Sequence, residues 1–512
     1  MSSCFRAAAL LSLSTFLCPV IVAQYEGATT TPQDVAKGFQ AIDEAECEKW
    51  LTILASDEFE GRGTGTRGFQ KAADFVAARF KEFGLKPVGD KGTYFQAVPF
   101  TRTVIDPEKT VLKFKGKGKA ITLKADGDIT FQTVGTKDMS AALLFVAANN
   151  PNARFPDGDI LKGRIVIIAL PNGAAPRSIT SQLRRKRPAA VFYVRDDVGN
   201  SRPSVRRGRG KGRLRELRSI TGSISREAAR RLAKSAGARE SIVDPESGTD
   251  ELNIFRSKKS ARLVVNGKTE DIGVPNVVGY LPGSSPKLRD ELVICGSHLD
   301  HIGIGRDGQI NNGADDDGSG STALLAVARA MTSNGRAPKR SVLFIAVCGE
   351  EMGLLGSAYY VENPIFPIAK TVCELQMDMV GRNEAGRQTG QNDKAEDNIQ
   401  TLHLVGSKKL SKELHELVLS MNEFVNFTFE YDEERVYTRS DHYNFAKKGI
   451  PVSFFFSGFH DDYHRPTDTV EKINFSKIAN TARLVFLTAF HAADAKKRLR
   501  VDKGPLKTRS GL

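Results

Sequence analysis

In the C-terminal half of the 512-residue chain, acids and imidazoles recur directly after compact apolar runs. After ELVICGS come His298 and Asp300, then a loop carrying Asp315, Asp316 and Asp317. After SVLFIAVCG come Glu350 and Glu351, after TVCELQM comes Asp378, and after IPVSFFF a loop supplies Tyr463 and His464. Any one of these alone has an ordinary use. An Asp run before Gly-Ser-Gly suits a turn and helix cap, and a Glu pair opening a helix suits its dipole. Finding such residues at four strand ends at once is harder to explain that way. Carboxylates gathered in one place repel each other unless a cation neutralises them. Two imidazoles with three or four carboxylates match divalent ions, zinc first, in a site left open for chemistry.

The apolar runs are rich in β-branched and aromatic residues, as in strands buried on both faces. Helical periodicity lies between or after them, over residues 321–333, 352–362, 409–424, 440–448 and 474–495, with an earlier helix over 65–85 ending at Gly84. Strands alternating with helices predict an α/β sheet covered on both sides, in which ligands gather beyond the carboxyl ends of the strands. Residues 105–270 read differently, as short β-like runs (VLKFKG, ALLFVAA, RIVIIAL, AAVFYVR) among Gly, Pro and Arg clusters.

With 40% hydrophobic and 26% charged residues, the composition is that of a soluble globular protein of two or three folded units. The first 23 residues, one Arg and then an apolar run ending at Ala23, predict a secretory signal peptide and hence a secreted or periplasmic protein with no stable membrane span once it is removed. Of the six cysteines, Cys47, Cys295, Cys348 and Cys373 remain in the mature chain, and buried free thiols are expected. The net charge of +14 is local: residues 177–239 hold 19 Lys/Arg against 4 Asp/Glu. That block predicts a basic surface or loop on an otherwise near-neutral protein, and no nucleic-acid partner is expected. Residues 499–512 are expected to be a disordered tail.

The strings SHLDHIG, GADDDGSGSTALL, CGEEMGLLGS, MDMVG, RSDHYNFAKKGIP and YHRPTDT resemble the co-catalytic dizinc aminopeptidases, in the clan of glutamate carboxypeptidase and glutaminyl cyclase; LASDEFEGRGTGTRGFQKAADFVAARFKEFGLKP resembles the segment that opens many bacterial members. The resemblance implies a zinc-peptidase α/β fold, a mixed, mostly parallel sheet sandwiched by helices, over residues 24–105 and 270–498. The strings ILKGRIVIIALPNG and RPAAVFYVRDD more loosely resemble a β-rich protease-associated domain, expected as an insertion over residues 106–269. The aminopeptidase resemblance implies two Zn²⁺ ions, one on His298 and Asp378, the other on Glu351 and His464, bridged by Asp316, with Asp315 as the rival bridge. A cis peptide between Asp316 and Asp317 is also implied. Glu350 is the expected general base and Tyr463 a donor to the oxyanion; Asp300, two residues after His298, is placed to hydrogen-bond the imidazole through its carboxylate. Asp468 either does likewise or caps a turn, and the consecutive Ser440, Asp441 and His442 cannot form a triad. The expected activity is removal of N-terminal residues from peptides. A carboxypeptidase, which would draw on Arg382, Arg439 or Arg465, and a glutaminyl cyclase-like acyltransferase are the alternatives.

Overall fold

The computed structural model describes residues 25–503 except 117–118, 133–134, 151–152, 157, 172–176, 197, 199–200, 202–203, 208–219, 246–251, 306–307 and 386–393. The expected signal peptide and most of the Arg-rich string at 205–218 therefore lie outside the described residues. The chain divides into two compact units, one built from residues 25–62, 71–95 and 277–503, the other from 63–70 and 96–276.

The first unit is α/β. Its sheet pairs Leu292–His298 in parallel with Ser341–Val347 on one side and Thr371–Met377 on the other, and the latter in parallel with Val452–Phe456. The first three of these strands are seven residues each and buried throughout, so both faces must be covered. Antiparallel partners flank them: Val277–Leu281 beside Ser341–Val347, and Thr401–Val405 beside Val452–Phe456. The helices Gly320–Ser333 and Phe475–Asp494 pack together over this sheet, nearly all of their residues buried.

Each strand of this unit named by its apolar run is present within two residues. Helices depart from expectation where the backbone forbids them. The helix expected from residue 352 starts at Leu355, because Gly353 (φ 101°) and Leu354 (φ 59°) are left-handed. The one expected over 409–424 splits into Ser407–Leu410 and Lys412–Asn422, because Ser411 is extended and caps the second piece through Leu414 N–H. Near the C-terminus, Asp502 N–H donates to Leu410 O at 2.8 Å and Asp502 accepts Lys412 N–H at 2.8 Å, so these residues of the expected tail are tied to the fold.

The second unit carries an eight-stranded mixed sheet in which Lys137–Ala148, Ile165–Ala169, Ala190–Arg195 and Ile220–Ser225 run parallel. It also contains helices that the strand-like reading omitted, Arg177–Lys186 and Arg226–Ala236. Part of the basic block is thus helical, and Arg226, Arg230 and Arg231 pair with Asp196, Asp244 and Asp128. Among the described residues, Cys47, Cys295, Cys348 and Cys373 are buried and free. Among the described residues no helix is long and apolar enough to cross a membrane.

The short helix Ala36–Gln40 seats Gly38 where a Cβ would meet the Phe486 ring at 2.3 Å and the Ala330 carbonyl at 2.8 Å. Backbone cannot yield as a side chain can, so Gly38→Ala should cost about 1–3 kcal/mol, read as a lower urea midpoint with an unchanged m-value.

Candidate metal centre

The strand Leu292–His298 ends in a ring whose orientation is set by its own chain. His298 Nδ1–H donates to the main-chain carbonyl of Asp300 at 2.9 Å, which leaves Nε2 as the free donor atom. Nε2 stands 3.3 Å from Asp316 Oδ1 and 3.4 Å from Asp378 Oδ1. Asp378 follows the strand Thr371–Met377, and its other oxygen accepts Ser440 Oγ–H at 2.7 Å. The carboxylate of Asp300 does not take the hydrogen-bonding role expected of it. It lies 4.0 Å from His298 Nδ1 and accepts Glu350 N–H at 3.1 Å, because the main chain turns its carbonyl to the ring first.

The three consecutive aspartates are all buried, yet each has a different environment. Asp317 accepts N–H groups from His298 (3.0 Å), Gly320 (2.9 Å) and Met379 (3.0 Å), tying two strand ends to a helix start. Asp315 accepts Gly381 N–H at 2.7 Å and faces His460 Nε2 at 3.2 Å. Only Asp316 turns outward to both sets of ligands, Oδ1 toward His298 and Oδ2 toward His464 Nε2 at 3.0 Å. This removes Asp315 as the rival for a bridging position. The Asp316–Asp317 peptide is cis, as the resemblance implied. Asp468 accepts the N–H groups of Asp315 and Asp316 at 3.1–3.2 Å, and so supports the loop.

On the far side of Asp316, His464 Nε2 lies 3.1 Å from Glu351 Oε1, and His301 Nδ1 lies 3.0 Å from the same oxygen and 3.7 Å from Asp316 Oδ2. His464 is left-handed at φ 57°, a conformation that costs about 1–3 kcal/mol and persists where surroundings over-determine it. Burial would raise the Asp316 carboxyl, but His301, His298 and His464 hold it well below the usual range. Burial pushes Glu350 well above that range, with neighbouring acids adding to the effect.

Donors bound at 2.0–2.2 Å to a tetrahedral ion stand about 3.3–3.6 Å apart, close to the 3.0–3.7 Å separations here. Asp316 Oδ2, Glu351 Oε1 and both His301 nitrogens are buried without a directed hydrogen bond. These residues can therefore hold two cations sharing Asp316. Against them lies an open cleft lined by Glu350, Tyr463 and Arg439 and by the apolar Val436, Phe454 and Phe459. Tyr463 stacks on His464 at 3.9 Å, and burial raises its phenol. Ser440, Asp441 and His442 diverge: Ser440 serves Asp378, Asp441 accepts from Ser357, and the His442 ring, lowered to about 3 by burial, stacks on Phe454.

Three residues that sequence reading missed complete the centre: His301, His460 and Arg62. The guanidinium of Arg62 is fully buried and donates to the carbonyls of Leu299 (3.0 Å), Leu54 (2.8 Å), Asn312 (2.7 Å) and Gly313 (2.7 Å), clamping the chain on both sides of the loop that leads to Asp315. Its signal was the polar string EGRGTG, whose Arg carries no hydropathy pattern. A third group, Glu384, His403 and Glu430, contains a directed bond between His403 Nε2 and Glu384 at 2.8 Å; burial would lower the ring, but its carboxylate neighbours raise it, as in an imidazolium ion pair.

Residues 276–489 match the model of Peptidase family M28, so the resemblance read from the motifs holds at the level of the family. A "Probable leucine aminopeptidase" of Arthroderma benhamiae is 30% identical over 43% of this chain and 58% of its own length. "Leupeptin-inactivating enzyme 1" of Streptomyces exfoliatus is 30% identical over 38% of each chain. The chain thus spans less than two thirds of the length of these curated relatives. Among solved structures, an aminopeptidase from Aneurinibacillus sp. strain AM-1 superposes over 93% of this chain and 100% of its own with a TM-score of 0.52 at 20% identity. A zinc aminopeptidase from Bacillus subtilis gives 0.50 at 17%, over 92% and 98%. These two show the shared α/β fold.

Arg62 sets a test of the clamp. Arg62→Lys retains the charge but offers three donors on one point in place of a planar fork. Carbonyls left unpaired cost about 1–3 kcal/mol each, so the variant should lose at least about 2 kcal/mol in urea unfolding despite its conserved charge.

Proposed function

We propose that the chain is a secreted, two-zinc aminopeptidase of family M28 that releases apolar N-terminal residues from peptides. The observation that carries this is Asp316: a single buried carboxylate presents one oxygen to His298 and Asp378 and the other to Glu351 and His464. Two zinc ions held there supply an acidified water and a polarised scissile carbonyl.

The remaining chemistry belongs to side chains of this chain. Glu350 shares the cleft with His298, Asp316 and Asp378 but is spared from holding a cation, and it is the general base. It takes the proton of the attacking water and returns it to the leaving amine. Its N–H is anchored on Asp300, so the carboxylate that failed to reach the imidazole positions the base instead. Tyr463 places its phenol at the same cleft, where it donates to the oxyanion as charge develops. Val436, Phe454 and Phe459 form the apolar wall against which the side chain of the leaving residue packs, in keeping with the leucine aminopeptidase names of the relatives.

One observation favours a second reading. Arg439 is exposed at the cleft, as a carboxypeptidase would require to hold a free carboxylate. Arg439 also donates to Tyr463 Oη at 3.2 Å and lies over the Phe459 ring at 5.2 Å, so its charge already has partners. We retain the aminopeptidase reading. The signal peptide at 1–23 and an inserted protease-associated module in the second unit complete the proposal, supported by the strings that carried each expectation.

Leucine and phenylalanine chromogenic amides should be hydrolysed, N-acetylated forms refused, and a chelator should abolish the reaction until zinc is restored. Efficient cleavage of an N-blocked, C-terminally free peptide would move the assignment to a carboxypeptidase, and cyclisation of an N-terminal glutamine without hydrolysis would move it to an acyltransferase. Glu350→Ala should keep two zincs by metal analysis while kcat falls by a factor of about 10²–10⁴. Loss of metal from that variant would show that Glu350 and Glu351 have been exchanged.

A further inference from the structure

His301 has no role in the ligand set of five, yet it is among the most enclosed polar residues of the centre. It is 1% exposed, and its N–H donates to the carbonyl of Arg62 at 3.2 Å, so the clamp fixes its backbone. Gly313 makes room for the ring: a Cβ there would stand 2.5 Å from His301 Cδ2. The imidazole is thereby held edge-on to His464, ring centroids 5.6 Å apart.

Two interactions can be expected of a buried imidazole beside carboxylates, and they differ in direction. In an ion pair the N–H points along the line to the oxygen, as between His403 and Glu384 at 2.8 Å. His301 Nδ1 is only 3.0 Å from Glu351 Oε1, but neither of its nitrogens makes a directed hydrogen bond, nor does Glu351 Oε1 or Asp316 Oδ2. Buried polar atoms left so would carry their full desolvation cost. Atoms that approach to 3.0–3.7 Å without facing one another are instead aimed at a common point, and His464 Nε2 shares that point at 3.0 and 3.1 Å from the same two oxygens.

We infer that His301 is a metal ligand through Nδ1, which gives the Glu351–His464 ion four protein donors while the His298–Asp378 ion has three. This rests on the two-zinc reading and extends it. The centre is then asymmetric. The four-donor site is closed by protein in the manner of a structural zinc site, and the three-donor site keeps the open position that chemistry needs. His301 would hold zinc at the first site and leave the second to exchange.

The test is X-ray absorption at the zinc edge on the fully loaded full-length protein, with zinc affinities from chelator competition. Three imidazoles per pair of ions are expected, falling to two in His301→Phe, which fills the volume without a donor. One site of that variant should bind zinc more than about 100-fold more weakly, beyond the range typical of a partner outside the coordination shell. Circular dichroism of the metal-free variant checks its fold; should it not fold, the imidazole count of the unaltered protein decides alone. Two zincs with only two imidazoles would overturn the inference and leave the enzyme reading standing. Failure of the unaltered protein to take up zinc would overturn both.

Discussion

Unpaired charge in a dry interior is the constraint on which this centre is built. Asp315, Asp316 and Asp317 are consecutive and buried, a combination that left alone would protonate or unfold. Two of the three are hydrogen-bonded internally, Asp317 by three main-chain N–H groups, although burial still pushes its carboxyl up, and Asp315 by Gly381 N–H and His460. The third is exempt. Asp316 is left with oxygens that face imidazoles and acids on either side, where the proposed pair of divalent ions would complete it. The two satisfied aspartates hold the unsatisfied one in place.

The sheet and the clamp divide the labour of positioning. The parallel strands end at His298 and Asp378, and the turn after Ser341–Val347 delivers Glu350 and Glu351, so three sources of ligand arrive on one edge by topology alone. The remaining contributors sit on loops, where topology gives no such precision. Arg62 supplies it for the loop that leads to the aspartates, with one planar fork bound to carbonyls on residues far apart in sequence. Asp468 supplies it at Asp315 and Asp316. The buried guanidinium contributes both its rigid set of donors and its charge, which Asp317, Asp316, Asp468 and Asp300 favour against burial.

What could be read from the sequence divides along the same line. Strands buried on both faces are largely apolar, so VLFIAV and VCELQM were legible, and the acids that followed them marked the ligand edge. Short pieces such as Thr401–Val405 and, at the sheet edge, Thr428–Glu430 carry too few residues to show a pattern. The helices of the second unit were hidden by arginines that read as a loop; those of Arg226–Ala236 pair across space with Asp128, Asp196 and Asp244. His301, His460 and Arg62 were illegible for a different reason: each acts through a partner far away in sequence, and a lone residue has no periodicity. Asp300 shows the reverse error. Its spacing from His298 was correctly read as significant, but in a turn the main-chain carbonyl reaches the ring before the carboxylate does.

The central claim is that Asp316 stands between two metal ions, and anomalous diffraction from crystals of the zinc-loaded protein tests it most directly. Data collected on both sides of the zinc edge should show two peaks about 3.5–4 Å apart, one beside His298 and Asp378 and one beside Glu351 and His464, with Asp316 reaching both. A single peak, a peak only at Glu384, His403 and Glu430, or no peak in crystals grown with excess zinc would contradict the account.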